Sequence, residues 1–333
     1  MKKILSLILC AVLLTACGDT NPEPSWENAP VTAPPITFGL LDDDIEIEAP
    51  NPDEIFSQIT VINPTLPLLT AEQMPALDGS TAAIPLAEAL TALILNIPRS
   101  EAAAMINFSG TAESYRYLMS EWRDCDLILS YEPPPAVVDE FKGNHRKWEL
   151  APIGRDALVF IVNESSPIDN LTTEQVRAIY TGEITNWSEL GGNDVAIEPF
   201  QRNETSGSQT LFIKLVMGDE EPMTPDIKYL SGGMGPLIES VASFNNTGAA
   251  IGFSVYYYAQ NMNPNDGLKF LSIDGVAPTR ESIRDGSYPH VNDFFAGVLQ
   301  SASEDSNERI IWEWLQSDEG RLLIEHEGYV GIG

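Results

Sequence analysis

Short apolar runs alternate with longer amphipathic segments from about residue 72 to the end of the chain. Three of the short runs predict buried strands: Asp126–Ser130, Ala157–Val162 and Ala249–Phe253. Three other segments predict helices: Ile84–Leu95, Thr173–Tyr180 and Ile310–Leu315. Strands that alternate with helices in this way predict an α/β fold with parallel sheets.

The N-terminal segment has a different pattern. Lys2 and Lys3 precede an apolar stretch, Ile4–Leu14, which is too short to span a bilayer. A basic start, an apolar stretch and small residues before Cys17 predict an export signal over residues 1–17. The run Leu14-Thr15-Ala16-Cys17 resembles the lipobox of bacterial lipoproteins, and this resemblance implies that Cys17 is acylated and becomes the new N-terminus. The alternative is an ordinary secretory signal with a chance cysteine.

Residues 18–71 are rich in proline and acid and contain no Lys or Arg. This composition predicts an acidic, Pro-rich tether between an anchor and the folded part. Residues 55–69 are more apolar than the rest of the tether, and we expect them to pack on the folded part as an edge strand.

The charge balance limits the choice of partner. The chain carries 49 Asp and Glu against 18 Lys and Arg, a formal net charge of −31. This balance argues against nucleic acid as a partner. It does not argue against an oxyanion, because net charge governs solubility and long-range steering, whereas the affinity for a buried anion depends on local donors.

Cysteines and histidines give no support to a metal or catalytic site. After the predicted anchor only Cys125 is left, so no intramolecular disulfide is expected. The three histidines, His145, His290 and His326, show no metal-ligand spacing. The sequence also has no Gly-x-Ser-x-Gly elbow and no Gly-x-x-x-x-Gly-Lys loop. We therefore predict no metal, no cofactor and no catalytic residue.

Three polar loops precede segments with a helical pattern: Asp78-Gly79-Ser80-Thr81, Phe108-Ser109-Gly110-Thr111 and Gln201–Thr210. Ser80 or Thr81 is expected to cap the first helix, and Thr111 has capping spacing with Ser114 in the second. Free N–H groups at a helix N-terminus bind anions, and Arg202 adds a planar fork that suits two oxygens of one anion. Each loop alone is more often an ordinary helix cap, so the residues alone predict only a candidate anion site at the strand ends.

Several motifs together resemble those of the phosphate-binding proteins of ABC uptake systems. The spacing Arg202-x-x-x-Ser206-Gly207-Ser208 resembles their Arg-x-x-x-Ser-Gly-Thr loop, and Asp78–Thr81 resembles their first phosphate loop. The run Ile179–Gly192 contains Gly-Glu-Ile-Thr-Asn-Trp and is similar to their most specific signature. Ala249–Phe253 and Tyr288-Pro289 also match, so the resemblance covers about residues 76–333.

The resemblance implies a fold and its division. The expected fold class is α/β, a two-lobe periplasmic-binding-protein-like fold of type II, with the lobes joined by two crossing strands. Lobe one takes residues 72–155 and 252–333, and lobe two takes residues 156–251. The crossings are expected near Ile153–Val162 and Ala249–Tyr256.

The resemblance also implies a set of ligand contacts: Ser80, Thr81, Ser109, Thr111, Arg202, Ser206, Gly207 and Ser208. One departure concerns the strand end at Ser130. Phosphate sites of this family often have an Asp after that Ser, which accepts the proton of the bound ligand. Here Tyr131 and Glu132 follow instead: Glu132 is a candidate to replace the Asp, and the alternative is that Tyr131 donates to the ligand.

The predicted function is that of an extracytoplasmic, membrane-anchored lipoprotein, a monomer that captures an oxyanion, phosphate first of all, for an ABC permease. Closure of the lobes by a hinge motion would bring the donors of both lobes onto one anion. Three alternatives stay open: a binding protein for another oxyanion such as sulfate or molybdate, a surface sensor on the same fold, and a phosphate-ester hydrolase.

The predicted anchor gives a first test. Because acylation attaches lipid through the Cys17 thiol, the variant Cys17→Ser is expected to leave the membrane fraction and to appear in the soluble fraction. Cell fractionation with immunoblotting measures this, and Cys10→Ser, inside the apolar stretch, is the control that keeps the anchor. Unchanged sedimentation of Cys17→Ser with membranes would contradict the assignment.

Overall fold

The computed structural model describes residues 66–122, 125–243 and 249–332. The strands are β1 Leu77–Gly79, β2 Leu127–Ser130, β3 Trp148–Asn163, β4 Asn170–Leu171, β5 Glu198–Pro199, β6 Gln201–Arg202, β7 Leu230–Ser231, β8 Ala250–Val255, β9 Leu268–Phe270, β10 Ser272–Ile273, β11 Val291–Leu299 and β12 Val330–Gly331. The α-helices are α1 Ile84–Leu95, α2 Arg99–Met105, α3 Thr111–Met119, α4 Pro135–Glu140, α5 Thr173–Thr181, α6 Gly207–Phe212, α7 Met234–Ser243, α8 Arg280–Arg284, α9 Asn307–Leu315 and α10 Asp318–His326.

The main sheet has the strand order β1-β2-β11-β3-β8-β5, and β9 and β12 pair with β3 outside this path. The pairs β1–β2 and β5–β8 are parallel, whereas β2–β11, β11–β3 and β3–β8 are antiparallel. The prediction of parallel sheets is therefore wrong, because the sheet is mixed. The chain leaves one half of the sheet through β3 and returns to it through β11, so these neighbours run in opposite directions.

Strand β3 runs through both halves of the sheet. Its first part pairs with β11 as far as Ala157, and its second part pairs with β8 from Leu158 onward. The partner strand thus changes between two consecutive residues. This change makes β3 the connection between the half that contains β1 and β2 and the half that contains β5 and β8.

The six predicted elements all form. The helix predicted at Ile84–Leu95 is α1 with the same bounds, and the other five elements differ from the prediction only in their ends or, for β3, in length. The predicted signal segment, Cys17 and the tether as far as residue 65 lie outside the described residues. Of the segment predicted as an edge strand, only residues 66–69 are described, and they form no strand.

The predicted lobe boundary at residue 252 is crossed by later pairings. Strand β9 pairs with Ile161–Asn163 of β3, and β10 pairs with β4. Residues 268–273 therefore pair with strands that the predicted boundary assigns to the other lobe. The return from lobe two would then lie after β10, between residues 274 and 290.

Aromatic residues fill the core of the half that contains β8. Phe160, Tyr180, Phe212 and Phe253 are fully buried, and the rings of Phe212 and Phe253 stack with centroids 4.6 Å apart. Burial of such large side chains contributes about 1.5–3 kcal/mol for each residue. This packing holds α5 and α6 against β3 and β8.

The Gly-Glu-Ile-Thr-Asn-Trp run belongs to the same framework. Gly182 ends α5 with a φ of 85°, and Asn186 caps the following 3₁₀ turn through its side chain. The buried indole of Trp187 donates to the Ala249 carbonyl at 2.9 Å, directly before β8. The motif that is most specific to the family thus has a structural role.

No single helix among the described residues is long and apolar enough to cross a membrane. One pair of helical segments, Thr81–Leu95 and Arg99–Met105, meets that length and composition only when taken together, and it is bent by 115°.

A close backbone approach between β1 and β2 gives a test of this framework. A Cβ on Gly79 would overlap the carbonyl oxygen of Leu129, which the pairing of the two strands holds in place. Gly79→Ala is therefore expected to lower the free energy of unfolding by about 1–3 kcal/mol. Urea unfolding measures this.

The matched control is Gly232→Ala, since a Cβ on Gly232 meets no atom within 4 Å. Its free energy of unfolding should change by no more than about 1 kcal/mol in either direction. Equal losses in the two variants would show that the contact between β1 and β2 is not the cause.

Candidate functional site

A cavity of about 310 Å³ brings the three polar loops together. Its lining includes seven hydroxyl-bearing residues from these loops: Ser80, Thr81, Ser109, Thr111, Thr205, Ser206 and Ser208. Arg202, Gly207 and Tyr131 also line it. The structure therefore places all eight predicted ligand residues, and Tyr131, around one space. Their role as ligand contacts stays a prediction.

The first loop starts where β1 ends. Because β1 and β2 are parallel, their carboxyl ends meet at one edge of the sheet, and Ser80 and Tyr131 follow these ends. Ser80 is buried, whereas Thr81 is exposed and begins a short 3₁₀ turn before α1. The predicted cap of α1 is wrong, because Ala83 is the N-cap residue of that helix. Ser80 is the N-cap residue of the 3₁₀ turn, but its side chain makes no capping hydrogen bond.

The buried carboxylate of Asp78 joins the first loop to the second. It accepts the N–H of Gly79 at 2.6 Å and the N–H of Ser109 at 2.7 Å, and the Ser109 hydroxyl donates to its other oxygen. The Ser109 proton is thus directed to Asp78, so only the lone pairs of this hydroxyl are free for another group. The prediction missed Asp78 as an organising residue, although it stands directly before the Gly-Ser-Thr run.

The second loop turns at Gly110, whose φ of 97° suits glycine. Gly110 is the N-cap of α3, so the expectation that Thr111 caps this helix is wrong. Ser114 is bonded differently as well, because its hydroxyl donates to the Thr111 carbonyl at 2.9 Å. Thr111 is the first residue of α3 and is buried against the cavity.

The third loop meets the second at Gly207. A Cβ on Gly207 would overlap the hydroxyl oxygen of Thr111, so the Gly207 backbone lies close to the Thr111 side chain. Ser206 is the N-cap of α6, and its hydroxyl lies 3.0 Å from that of Ser208. The contact joins a loop that precedes β2 to a loop that follows β5.

Arg202 supplies the positive charge of the cavity. Its guanidinium donates to the carbonyls of Ser231 and Gly232 at 3.2 and 3.4 Å and lies 3.4 Å from the Ser208 hydroxyl. Among the described residues no carboxylate forms an ion pair with it. Desolvation lowers the pKa of Arg202 to about 10, against the opposing influence of Tyr258. The group stays protonated at neutral pH and lacks a counter-charge.

Tyr131 and Glu132 have different surroundings. Tyr131 lines the cavity, and its hydroxyl donates to the buried carboxylate of Asp156 at 2.7 Å. Glu132 is absent from the lining and forms an ion pair with Lys214, which follows α6. Of the two residues proposed to replace the family Asp, only Tyr131 is therefore in a position to touch a ligand.

The rest of the lining was not foreseen from the sequence. It comes mainly from a Gly-rich turn, Gly232–Pro236, and from Val255 and Tyr258. In the described part of the chain the lining contains one carboxylate, Glu113, which pairs with Arg116, and no His, Cys or Lys. No group of three or more His, Cys, Asp or Glu able to hold a metal ion occurs among the described residues.

Comparisons with known proteins agree with this architecture. A model of the PBP superfamily domain matches residues 100–309. The phosphate-binding protein PstS of Borreliella burgdorferi is 29% identical over 182 residues, which cover 53% of this chain and 63% of the relative. PstS of Bacillus subtilis is 30% identical over 188 residues, covering 55% of this chain and 57% of the relative. The alignments thus span about three fifths of these curated relatives.

This chain is also similar to a solved structure from Clostridium perfringens. That protein is described as a phosphate ABC transporter substrate-binding protein, and its structure contains bound phosphate. Its TM-score is 0.62 at 23% identity, and the match covers 78% of this chain and 99% of that chain. At this identity the likeness shows the fold, which is the two-lobe α/β periplasmic-binding-protein-like fold of type II.

The Asp78 contacts generate a test of the site framework. Asp78→Ala leaves the N–H groups of Gly79 and Ser109 without an acceptor, so the free energy of unfolding should fall by at least about 1–3 kcal/mol. Asp78→Asn keeps the accepting oxygen for both groups and should lose less. Urea unfolding compares the two, and equal losses would indicate that the backbone hydrogen bonds are not what Asp78 contributes.

Proposed function

Because this chain belongs to the PBP superfamily, we propose that it is an extracytoplasmic solute-binding protein that captures phosphate for an ABC importer. The names of the curated relatives, phosphate-binding protein PstS, support phosphate as the ligand. The observation that carries the proposal is the uncompensated charge of Arg202 within a cluster of hydroxyl groups.

The charge of Arg202 favours an anion. A half-buried cation without a carboxylate has lost part of its hydration and gained only carbonyl and hydroxyl contacts. An anion in the cavity would restore the missing interaction through the N–H groups of the guanidinium that these contacts leave over. A planar fork of this kind suits a tetrahedral oxyanion, which presents two oxygens at once.

The hydroxyl groups give the anion its further contacts. Ser80 and Thr111 belong to the half of the chain that contains β1 and β2, and Ser206 and Ser208 follow β5. In the proposed mechanism the lobes close by a hinge motion, so that both sets contact one anion, and they open to release it to a permease. The N–H of Gly207, at the start of α6, adds a donor at a helix N-terminus.

The proposal also covers attachment and chemistry. Acylation of Cys17 would hold the protein at the outer face of the cell membrane, and residues 18–71 would be the tether. The protein would act as a monomer and bind its ligand without catalysis.

Substitution of Arg202 tests the proposed function. Hydrogen bonds to a charged partner contribute about 1.5–3 kcal/mol, so Arg202→Ala should weaken phosphate binding by at least about tenfold to a hundredfold. Arg202→Lys should restore part of the affinity, because an ammonium is a point charge without the planar fork. Calorimetric titration with phosphate, sulfate and molybdate measures these effects.

The control is Arg284→Ala, which removes an exposed arginine outside the cavity lining and should leave affinity unchanged. If wild-type protein binds none of the three anions, the proposed function is wrong. If it binds one and Arg202→Ala binds that anion equally well, the anion lies elsewhere.

A further inference from the structure

An ion pair joins the two halves of the molecule outside the cavity. Glu132 follows β2, whereas Lys214 follows α6, which packs against β3 and β8. The Lys214 ammonium donates to Oε2 of Glu132. Both side chains are partly exposed, 52% for Lys214 and 39% for Glu132, and neither is part of the described cavity lining. The pair therefore connects the lobes without being placed to touch a ligand.

Gly207 and Lys214 both contact the half of the molecule that contains β1 and β2. A Cβ on Gly207 would overlap the hydroxyl oxygen of Thr111, and Lys214 bonds Glu132. Gly207 begins α6, and Lys214 lies seven residues later in the π-helical segment that continues it. Seven residues make about two helical turns and about 10 Å, which puts both residues on the same side of the helix. One side of this helix thus meets the other lobe at two points.

The backbone is held on both sides of the ion pair. The Tyr115 hydroxyl donates to the carbonyl of Tyr131 at 2.9 Å, directly before Glu132. On the other side, Arg177 of α5 donates to the carbonyl of Val216 at 2.9 Å, two residues after the lysine. Exposed ion pairs contribute little when two long side chains must be ordered. A fixed backbone on both sides limits the loss of conformational freedom to the two side chains.

We propose that the Glu132–Lys214 pair is a latch that forms when the lobes close and slows the release of the bound anion. The inference rests on the proposed function, since it requires a bound anion and lobes that open and close. Opening would separate the end of β2 from the end of α6 and break the pair. Because the pair stabilises only the closed state, its loss shortens the lifetime of that state. Glu132 and Lys214 are thus positioning residues that act on the lobes.

The opposite charges of the two residues distinguish a latch from a direct electrostatic effect. If each residue acted only through its field on the anion, Glu132→Gln would slow release and Lys214→Gln would speed it. A latch predicts the same direction for both variants, because either substitution breaks the pair. For an exposed pair, the release rate should rise about two- to fivefold in each variant.

The experiment measures the release of phosphate. The full chain is loaded with radiolabelled phosphate and chased with unlabelled phosphate, and rapid filtration gives the release rate. The charge-exchanged variant Glu132→Lys/Lys214→Glu should return this rate to within about twofold of wild type. Added sodium chloride should reduce the difference between wild type and the single variants, because salt screens an exposed pair.

The control is Arg321→Gln, which removes one partner of an exposed ion pair within α10 and should release phosphate at the wild-type rate. Slower release from Glu132→Gln, or wild-type release rates in both single variants, would overturn the inference and leave phosphate binding intact. A charge-exchanged variant that releases phosphate as fast as the single variants would overturn it as well. Wild-type protein that binds no phosphate would overturn the proposed function too.

Discussion

The partial desolvation of Arg202 without a carboxylate is the constraint on which the site depends. The carbonyls of Ser231 and Gly232 fix the guanidinium at the wall of the cavity, but carbonyl dipoles do not neutralise its charge. Burial accordingly lowers its pKa to about 10. Under the proposed function, an anion from solution would supply the missing counter-charge, and the hydroxyl groups nearby would give that anion further hydrogen bonds.

A second buried charge, of opposite sign, lies at the other side of Tyr131. Asp156 accepts from Tyr131 after β2, from its own strand β3 and from Tyr257 after β8, so one carboxylate connects three strands of the sheet. It lies beside the residues where β3 exchanges β11 for β8. The carboxylate that accepts from Tyr131 therefore lies at the connection between the two halves of the sheet.

The sequence predicted the local features of this site and missed those that depend on distant contacts. Loops such as Ser80-Thr81 and Ser206-Gly207-Ser208 are visible because strand, turn and helix signals follow one another along the chain. Asp78 and Asp156 were missed because their partners lie 31 residues away at Ser109 and 101 residues away at Tyr257. The predictions of the helix caps were wrong for a related reason. The side chains of Ser80 and Thr111 are buried at the cavity, and the N-cap residues of α1 and α3 are Ala83 and Gly110.

Net charge and site charge act at different distances, which reconciles a chain of −31 with an anion site. At physiological ionic strength the field of an exposed carboxylate is screened over about 8 Å. Acidic side chains that lie farther than this from the cavity therefore have little effect on the potential inside it. Within the described lining the carboxylate of Glu113 is offset by Arg116, and Arg202 is left as the dominant charge. Under the proposed function, the acidic surface would act mainly on the rate at which an anion reaches the cavity, whereas Arg202 and the hydroxyl groups of the lining would determine how long it stays.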